Sequence, residues 1–319
     1  MRQELLETRK AAFAPSTQKN LVTQWKSYTK FTESLGKPYY PTSIDILCLY
    51  AQYLSHNLRS AASIRNYVSG ALTCIVLKGG SIPNLNCPEF KLTIKGLTKI
   101  LKHTPKQATP ITPEMLIKFS KLINMTDSFQ VALWAAIIVG FFLLLRKSNL
   151  VPDSVGKFDS QKQLSGSNVK LSDNAALVTL SWTKTIQAGE RKVKIPMLHI
   201  PGSPISPVTV LKAVKEVNGI EANSPLFRYK RQDAWVPLTY RQLNQGLKRL
   251  AQEIGMNPNR FSSHSLRHGG ATYAYKVGVA PVAIQRMGDW KSDAYLSYIQ
   301  DQLDTRIRAV SKVKASLIL

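Results

Sequence analysis

The chain has 319 residues, 44% of them apolar, which is long enough for two domains and normal for a globular protein with buried cores. Lysine and arginine number 43 against 19 aspartates and glutamates, a formal charge of +24. Such an excess suits a polyanionic partner, because each neutralised phosphate releases condensed counterions, and its scatter along the chain disfavours a polybasic membrane anchor.

Residues 1–110 carry a net +10 and residues 111–319 a net +14, so both halves are expected to touch the partner. Residues 17–35 read as an amphipathic helix, with Leu21, Trp25, Tyr28 and Phe31 at spacings of three and four. Pro38 and Pro41 interrupt the chain. Ser43-Ile-Asp45 then opens a second helix through Leu54, a third spans 62–78 and stops at Gly79-Gly80, and a fourth covers 88–102. Four helices on short links make a small all-α bundle, a first domain over 1–103.

Two prolines and few apolar residues mark 104–111 as an interdomain linker, and a second domain is expected over 112–319. It opens with a Thr112-Pro-Glu114 helix start. A helix over 128–150 follows, containing the apolar run Val131 to Leu145. That run is too short for a membrane span and meets Arg146-Lys147 at once, so it reads as a buried helix. Alternation over 175–183 and again over 192–200 predicts a β-hairpin, with Lys184 just past its first strand and Gln187-Ala-Gly189-Glu190 in the turn. Helices are expected again over 207–218, 239–254, 263–277, 280–288 and 292–300, and the tail 301–319 has a helical apolar rhythm. The fold class is therefore mainly α with a small antiparallel β-sheet. Cys48, Cys74 and Cys87 form no C-x-x-C pair, so neither a zinc site nor a disulfide framework is expected, and a reducing compartment suits the chain. Met1 to Glu7 is not a secretory signal.

The chemistry concentrates in Phe261-Ser-Ser-His264-Ser-Leu-Arg267-His268-Gly-Gly, followed by Gly288-Asp289-Trp290 and the tyrosines 295 and 298. His264 and Arg267 are one helical turn apart on one face. Two consecutive glycines inside a helix cost about 2 kcal/mol against alanine, which implies close approach of another backbone. His268 reads as a core or supporting residue. His264 and His268 at i, i+4 lack the glutamate of H-E-x-x-H, so no metal site is expected. Trp290 reads either as a core anchor or as an N–H donor to a phosphate oxygen. Of Tyr295 and Tyr298, one is expected only to pack. Cleavage of a phosphodiester by a tyrosine needs fixed guanidinium groups for the developing phosphoryl charge and a proton for the leaving 5′-oxygen. With enough cationic donors it needs no metal. Arg146 and Lys184 supply two further cations; each taken alone also reads as an ordinary surface or helix-end charge.

Arg146, Lys184, His264, Arg267, Trp290 and Tyr298, in that order, resemble the tyrosine recombinase (phage integrase) superfamily. The blocks Leu-Leu-Leu-Arg-Lys-Ser-Asn-Leu and Gly-Asp-Trp-Lys-Ser-Asp-Ala-Tyr-Leu-Ser-Tyr-Ile look like the variant in Crypton and DIRS mobile elements. The resemblance implies a helical core-binding domain followed by a mixed α+β catalytic domain. It implies a site-specific recombinase or transposase in which Tyr298 forms a 3′-phosphotyrosyl link. Arg146, Arg267, His264 and Trp290 would hold the phosphate, and Lys184 would protonate the leaving oxygen. It further implies double-stranded DNA as partner, a homotetramer on two synapsed duplexes, no cofactor, integration or excision of a mobile element, and nuclear residence. On the same grounds the tail 303–319 packs on a neighbouring subunit, the alternative being an intramolecular cap. Many relatives have an acidic residue three after the first arginine, where this chain has Asn149, so the support of Arg146 is altered. Trp290 stands where relatives often have His; it donates a hydrogen bond but cannot shuttle a proton. Two other readings remain: a catalytically silent DNA-binding protein derived from a recombinase, and a type IB topoisomerase.

Overall fold

The computed structural model describes residues 1–104, 107–186, 191–298, 310, 311 and 314, excluding the Arg2 and Tyr298 side chains. The chain divides into two compact units, Met1–Lys106 and Gln107–Leu319.

The first unit is helical: α1 (Arg2–Ala11), α2 (Pro15–Ser34), α3 (Ile44–Ser55), α4 (Ala61–Leu77) and α5 (Pro88–Leu101). The last four answer the apolar rhythm of the sequence. α1 carries too few apolar residues to show that rhythm, and it lies against α4. Proline at the first position starts α2 and α5, and the Ser43 and Ser60 hydroxyls cap α3 and α4. The core gathers Tyr28, Phe31, Leu47, Tyr50, Ile64, Val68, Ile75, Phe90 and Ile94. The Tyr50 ring lies 5.1 Å from those of both Tyr28 and Phe31.

The second unit is built round α7 (Ser128–Phe142), whose residues Val131 to Phe141 are all buried. A helix apolar on every side must be covered on every side. The cover comes from α9 (Pro207–Val217), α10 (Tyr240–Glu253), α11 (Ser263–Lys276) and the hairpin of β4 (Arg228–Arg231) with β5 (Ala234–Pro237). A three-stranded antiparallel sheet, in the order β1 (Val169–Leu171), β2 (Ala175–Leu180), β3 (Val193–Leu198), pairs Val178 with Ile195 and Ala176 with Met197. Its inward residues Ala176, Val178 and Leu180 join the same core. Further helices among the described residues include α6 (Pro113–Ser120), the single turn α8 (Lys147–Leu150), α12 (Pro281–Met287) and a 3₁₀ helix over Asp293–Tyr298.

Four expectations need correction. The 128–150 helix is broken: α7 ends at Phe142, Leu144 turns left-handed at φ 51°, and α8 starts afresh after Arg146. The apolar run concealed the break because Leu143, Leu144 and Leu145 are all buried. Residues 107–111 are packed in the second unit: the Thr109 N–H donates to the Arg260 carbonyl (2.8 Å), that of Ile111 to Ser265 (3.1 Å), and Ile111 is fully buried. The hairpin strands stop at Leu180 and start at Val193, shorter than the alternation predicts. The 292–300 helix is a 3₁₀ turn over its described part. β1 and the β4–β5 hairpin were not legible, the latter because it turns on Gln232 at φ 54° where a glycine or asparagine would have announced it. The expected turn 187–190 and the tail 303–319, apart from positions 310, 311 and 314, lie outside the described residues.

Candidate active site

The site is assembled by α11. The Ser262 hydroxyl accepts from the His264 N–H (3.3 Å), and the Ser265 hydroxyl accepts from the Ser262 N–H (3.1 Å), a reciprocal cap that fixes the helix start. Gly269 and Gly270 then allow α11 to lie against two backbones. A Cβ on Gly269 would stand 1.9 Å from the Ile111 carbonyl oxygen, and one on Gly270 would stand 2.2 Å from that of Phe141. The glycine pair therefore marks close backbone contact, as its helical cost implies.

That contact brings Arg267 to the end of α7. Arg267 is 2% exposed. It donates to the Leu144 carbonyl and, through Nη2, to the Gly288 carbonyl at 2.8 Å. Its guanidinium carbon lies 3.6 Å from the centroid of the Trp290 ring. Trp290 is buried with Leu144, Ala271, Ile284 and Tyr295, so it is a core anchor that also presents its face to the arginine. Gly288 is required here, since a Cβ would meet the indole at 1.6 Å.

Arg146 reaches the same turn from the other side. It occupies the extended residue between α7 and α8, as the N-cap of α8 and not within α7. Its Nη2 donates to the Asp289 carbonyl (3.2 Å) and its Nη1 lies 3.9 Å from the Asp289 carboxylate. With its side chain 20% exposed, it is the more open of the two arginines. Lys184 is exposed in a tight turn closed by hydrogen bonds between Thr183 and Ile186 in both directions (3.0 and 3.2 Å). The hydroxyls of Thr183 and Thr185, on either side of it, both donate to the Asp289 carboxylate, which also pairs with Arg191. Arg146, Arg267, Trp290 and the Lys184 turn thus converge on Gly288-Asp289-Trp290.

His264 is at the exposed start of α11. Partial loss of hydration, then the positive charges of Arg267, Lys147 and Arg146, hold its imidazole below the ordinary value of 6.5. It is therefore neutral at neutral pH. His268 is buried, with Nδ1 2.8 Å from the Ala108 carbonyl oxygen, in the supporting place expected of it. Tyr295 is 7% exposed and its ring centroid is 6.2 Å from that of Trp290, so it is a packing residue. The Tyr298 backbone ends the 3₁₀ helix, and its side chain lies outside the described residues. The Asn149 amide donates to the carbonyls of Trp182 (2.8 Å) and Lys162 (3.3 Å), tying α8 to the strand end before the Lys184 turn.

Sequence reasoning missed Asp289 as the hub, with Arg191 and the two threonines. The available signals were Asp289 inside Gly-Asp-Trp, one of the few non-glycine types that tolerates the left-handed region it occupies (φ 51°), and threonines flanking Lys184. Among the described residues, no group of three or more His, Cys, Asp or Glu converges as metal ligands would, and no helix is long and apolar enough to cross a membrane.

Residues 162–302 match the model of the phage integrase family, a span that includes Lys184, His264, Arg267, Trp290 and Tyr298 and begins after Arg146. No curated protein sequence matches the chain. Solved structures do. A lambda integrase dimer bound to a COC′ core site is 18% identical over 95% of this chain and 96% of that one, with a TM-score of 0.60. The XerH site-specific recombinase bound to a palindromic difH substrate, in a post-cleavage complex, is 15% identical over 85% of this chain and 70% of that one, at 0.59. The Tn1549 transposon integrase with circular intermediate DNA is 16% identical over 86% of each chain, at 0.53. At such identities the likeness is one of fold: mainly helical with small antiparallel sheets, as in tyrosine recombinase catalytic domains.

Proposed function

We propose that this chain is a site-specific DNA recombinase that cleaves and rejoins strands through a 3′-phosphotyrosyl intermediate on Tyr298. The observation that carries the reading is the convergence of Arg146, Arg267 and the Lys184 turn, from three separate stretches of chain, on the left-handed turn that carries Trp290. In the proposed step Tyr298 gives its proton to water and its oxygen bonds to phosphorus. The bond from phosphorus to the 5′-oxygen breaks, and Lys184 gives that oxygen a proton. Arg146 and Arg267 offset the charge gathering on the non-bridging oxygens. His264 donates a ring N–H, and Trp290 holds the Arg267 plane and offers its indole N–H. The 5′-hydroxyl of a second duplex reverses the step. The ester conserves the bond energy, so the reaction needs neither cofactor nor metal.

Double-stranded DNA is the partner, and a homotetramer on two synapsed duplexes is the assembly this chemistry requires for strand exchange. The unit Met1–Lys106 serves it as a core-binding unit and Gln107–Leu319 as a catalytic unit. Integration or excision of a mobile element of the Crypton or DIRS kind, in the nucleus, is the biological setting we infer. The DNA named in the three structural neighbours supports the choice of partner.

The test is a duplex nicked near the target bond, which traps the covalent adduct. Wild type should give a denaturation-resistant adduct that survives EDTA. Tyr298→Phe should abolish it and Tyr295→Phe should retain it, since Tyr295 is packed behind Trp290. Binding without any adduct would leave a catalytically silent DNA-binding protein. Relaxation of plasmid without recombinant product would leave a type IB topoisomerase.

A further inference from the structure

The structure assigns Asp289 as the positioning residue of this site: one carboxylate sets the turn that carries Lys184 and, through the same residue, holds Arg146. The inference rests on the recombinase reading above and names a group which that reading does not use.

Asp289 is 5% exposed at the side chain. A carboxylate so enclosed is costly unless it is paired and hydrogen-bonded. Here its partners are the Thr183 hydroxyl, the Thr185 hydroxyl, Arg191 and, at 3.9 Å, Arg146. The two threonines bracket Lys184, and both bond to the same carboxylate oxygen. The Thr183–Ile186 turn is closed by its own backbone pair, so anchoring both hydroxyls fixes the orientation of the turn as a body. The Asp289 carbonyl meanwhile accepts from Arg146 (3.2 Å), because the left-handed backbone directs it there. The neighbouring residues Gly288 and Trp290 hold Arg267 by a carbonyl and by a ring face. The Asn149 amide N–H groups are engaged with Trp182 and Lys162. One residue therefore couples the proton donor to the phosphate-binding arginine.

Asp289→Asn keeps the backbone carbonyl that receives Arg146, so its effect falls on leaving-group protonation and not on the affinity for DNA. The experiment is single-turnover adduct formation on two trapping duplexes, one with the natural bridging oxygen at the scissile bond and one with bridging sulfur. A thiolate departs without a proton, so it bypasses Lys184. Asp289→Asn should slow the oxygen reaction by about 10–100-fold, a partial loss of the roughly 10²–10⁴-fold that general acid catalysis contributes. The sulfur substrate should restore its rate to within about threefold of wild type, with duplex affinity by fluorescence anisotropy unchanged to a similar degree. Thr185→Val removes one hydroxyl from the carboxylate and should show the same sulfur rescue in smaller measure; it carries the test if Asp289→Asn does not fold. Combining Asp289→Asn with Lys184→Ala should be no slower than Lys184→Ala alone. An Asp289→Asn enzyme as fast as wild type on oxygen, or equally slow on both substrates, overturns the assignment while leaving the recombinase reading intact. No adduct from wild type on either duplex overturns that reading, and the assignment with it.

Discussion

His264 stands among three cations, and its titration follows from that. The Arg267, Lys147 and Arg146 charges and partial loss of hydration all disfavour its protonated form, so its pKa lies below 6.5 in the folded chain. The unfolded chain takes up this proton first as pH falls. The contribution of the group to stability is thus complete above about 6.5 and is lost as pH drops from there through the depressed folded value. A bound phosphate adds negative charge beside the ring and reverses the shift. NMR titration of the His264 ring protons should give a midpoint below 6.5 for the free protein and a higher one with duplex DNA; a midpoint at or above 6.5 without DNA would contradict the geometry. The six candidate residues stand out in the sequence because each type has its own chemistry: a fixed guanidinium, an ammonium, an imidazole, an indole and a phenol. Asp289 does not, because a carboxylate in a basic chain has no meaning until its partners are known. They come from Thr183, Thr185, Arg191 and Arg146, at least 98 residues away in sequence.

Elements meet at the glycines. Gly269 has the Ile111 carbonyl oxygen, carbonyl carbon and nitrogen within 2.8 Å of where a Cβ would stand, and backbone cannot swing aside as a side chain can. Gly269→Ala should cost about 1–3 kcal/mol and displace the start of α11, with activity falling alongside the melting midpoint. Gly96, inside α5, has nothing within 4 Å, so Gly96→Ala should instead stabilise the first unit by about 0.5–1 kcal/mol. Thermal unfolding of the two variants checks the opposite signs. The helices were legible wherever an apolar stripe repeats at three and four, as in α2 to α5. The break after α7 was not, because Leu143 to Leu145 are buried in a turn as fully as they would be in a helix. Periodicity reports burial, and a left-handed Leu144 leaves no trace in it.

At the scale of the whole molecule, a charge of +24 spread over both halves should dominate binding. Affinity for a duplex should fall steeply with salt, log K declining linearly with log salt at roughly 0.9 per phosphate neutralised. Anisotropy titrations across salt concentrations measure the slope; a flat response would exclude the backbone-tracking mode expected of this chain. Composition, charge and apolar spacing determined on their own that the chain is helical, basic and suited to a polyanion, and residue chemistry singled out one candidate cluster. Those are local quantities, read within a few residues of each other. The tertiary structure alone decided that Arg146 leaves its helix, that Tyr295 is packed behind Trp290, and that one buried carboxylate gathers the Lys184 turn and Arg146. A buried charge is tolerable only where the fold delivers its partners, and no spacing along the chain records that delivery.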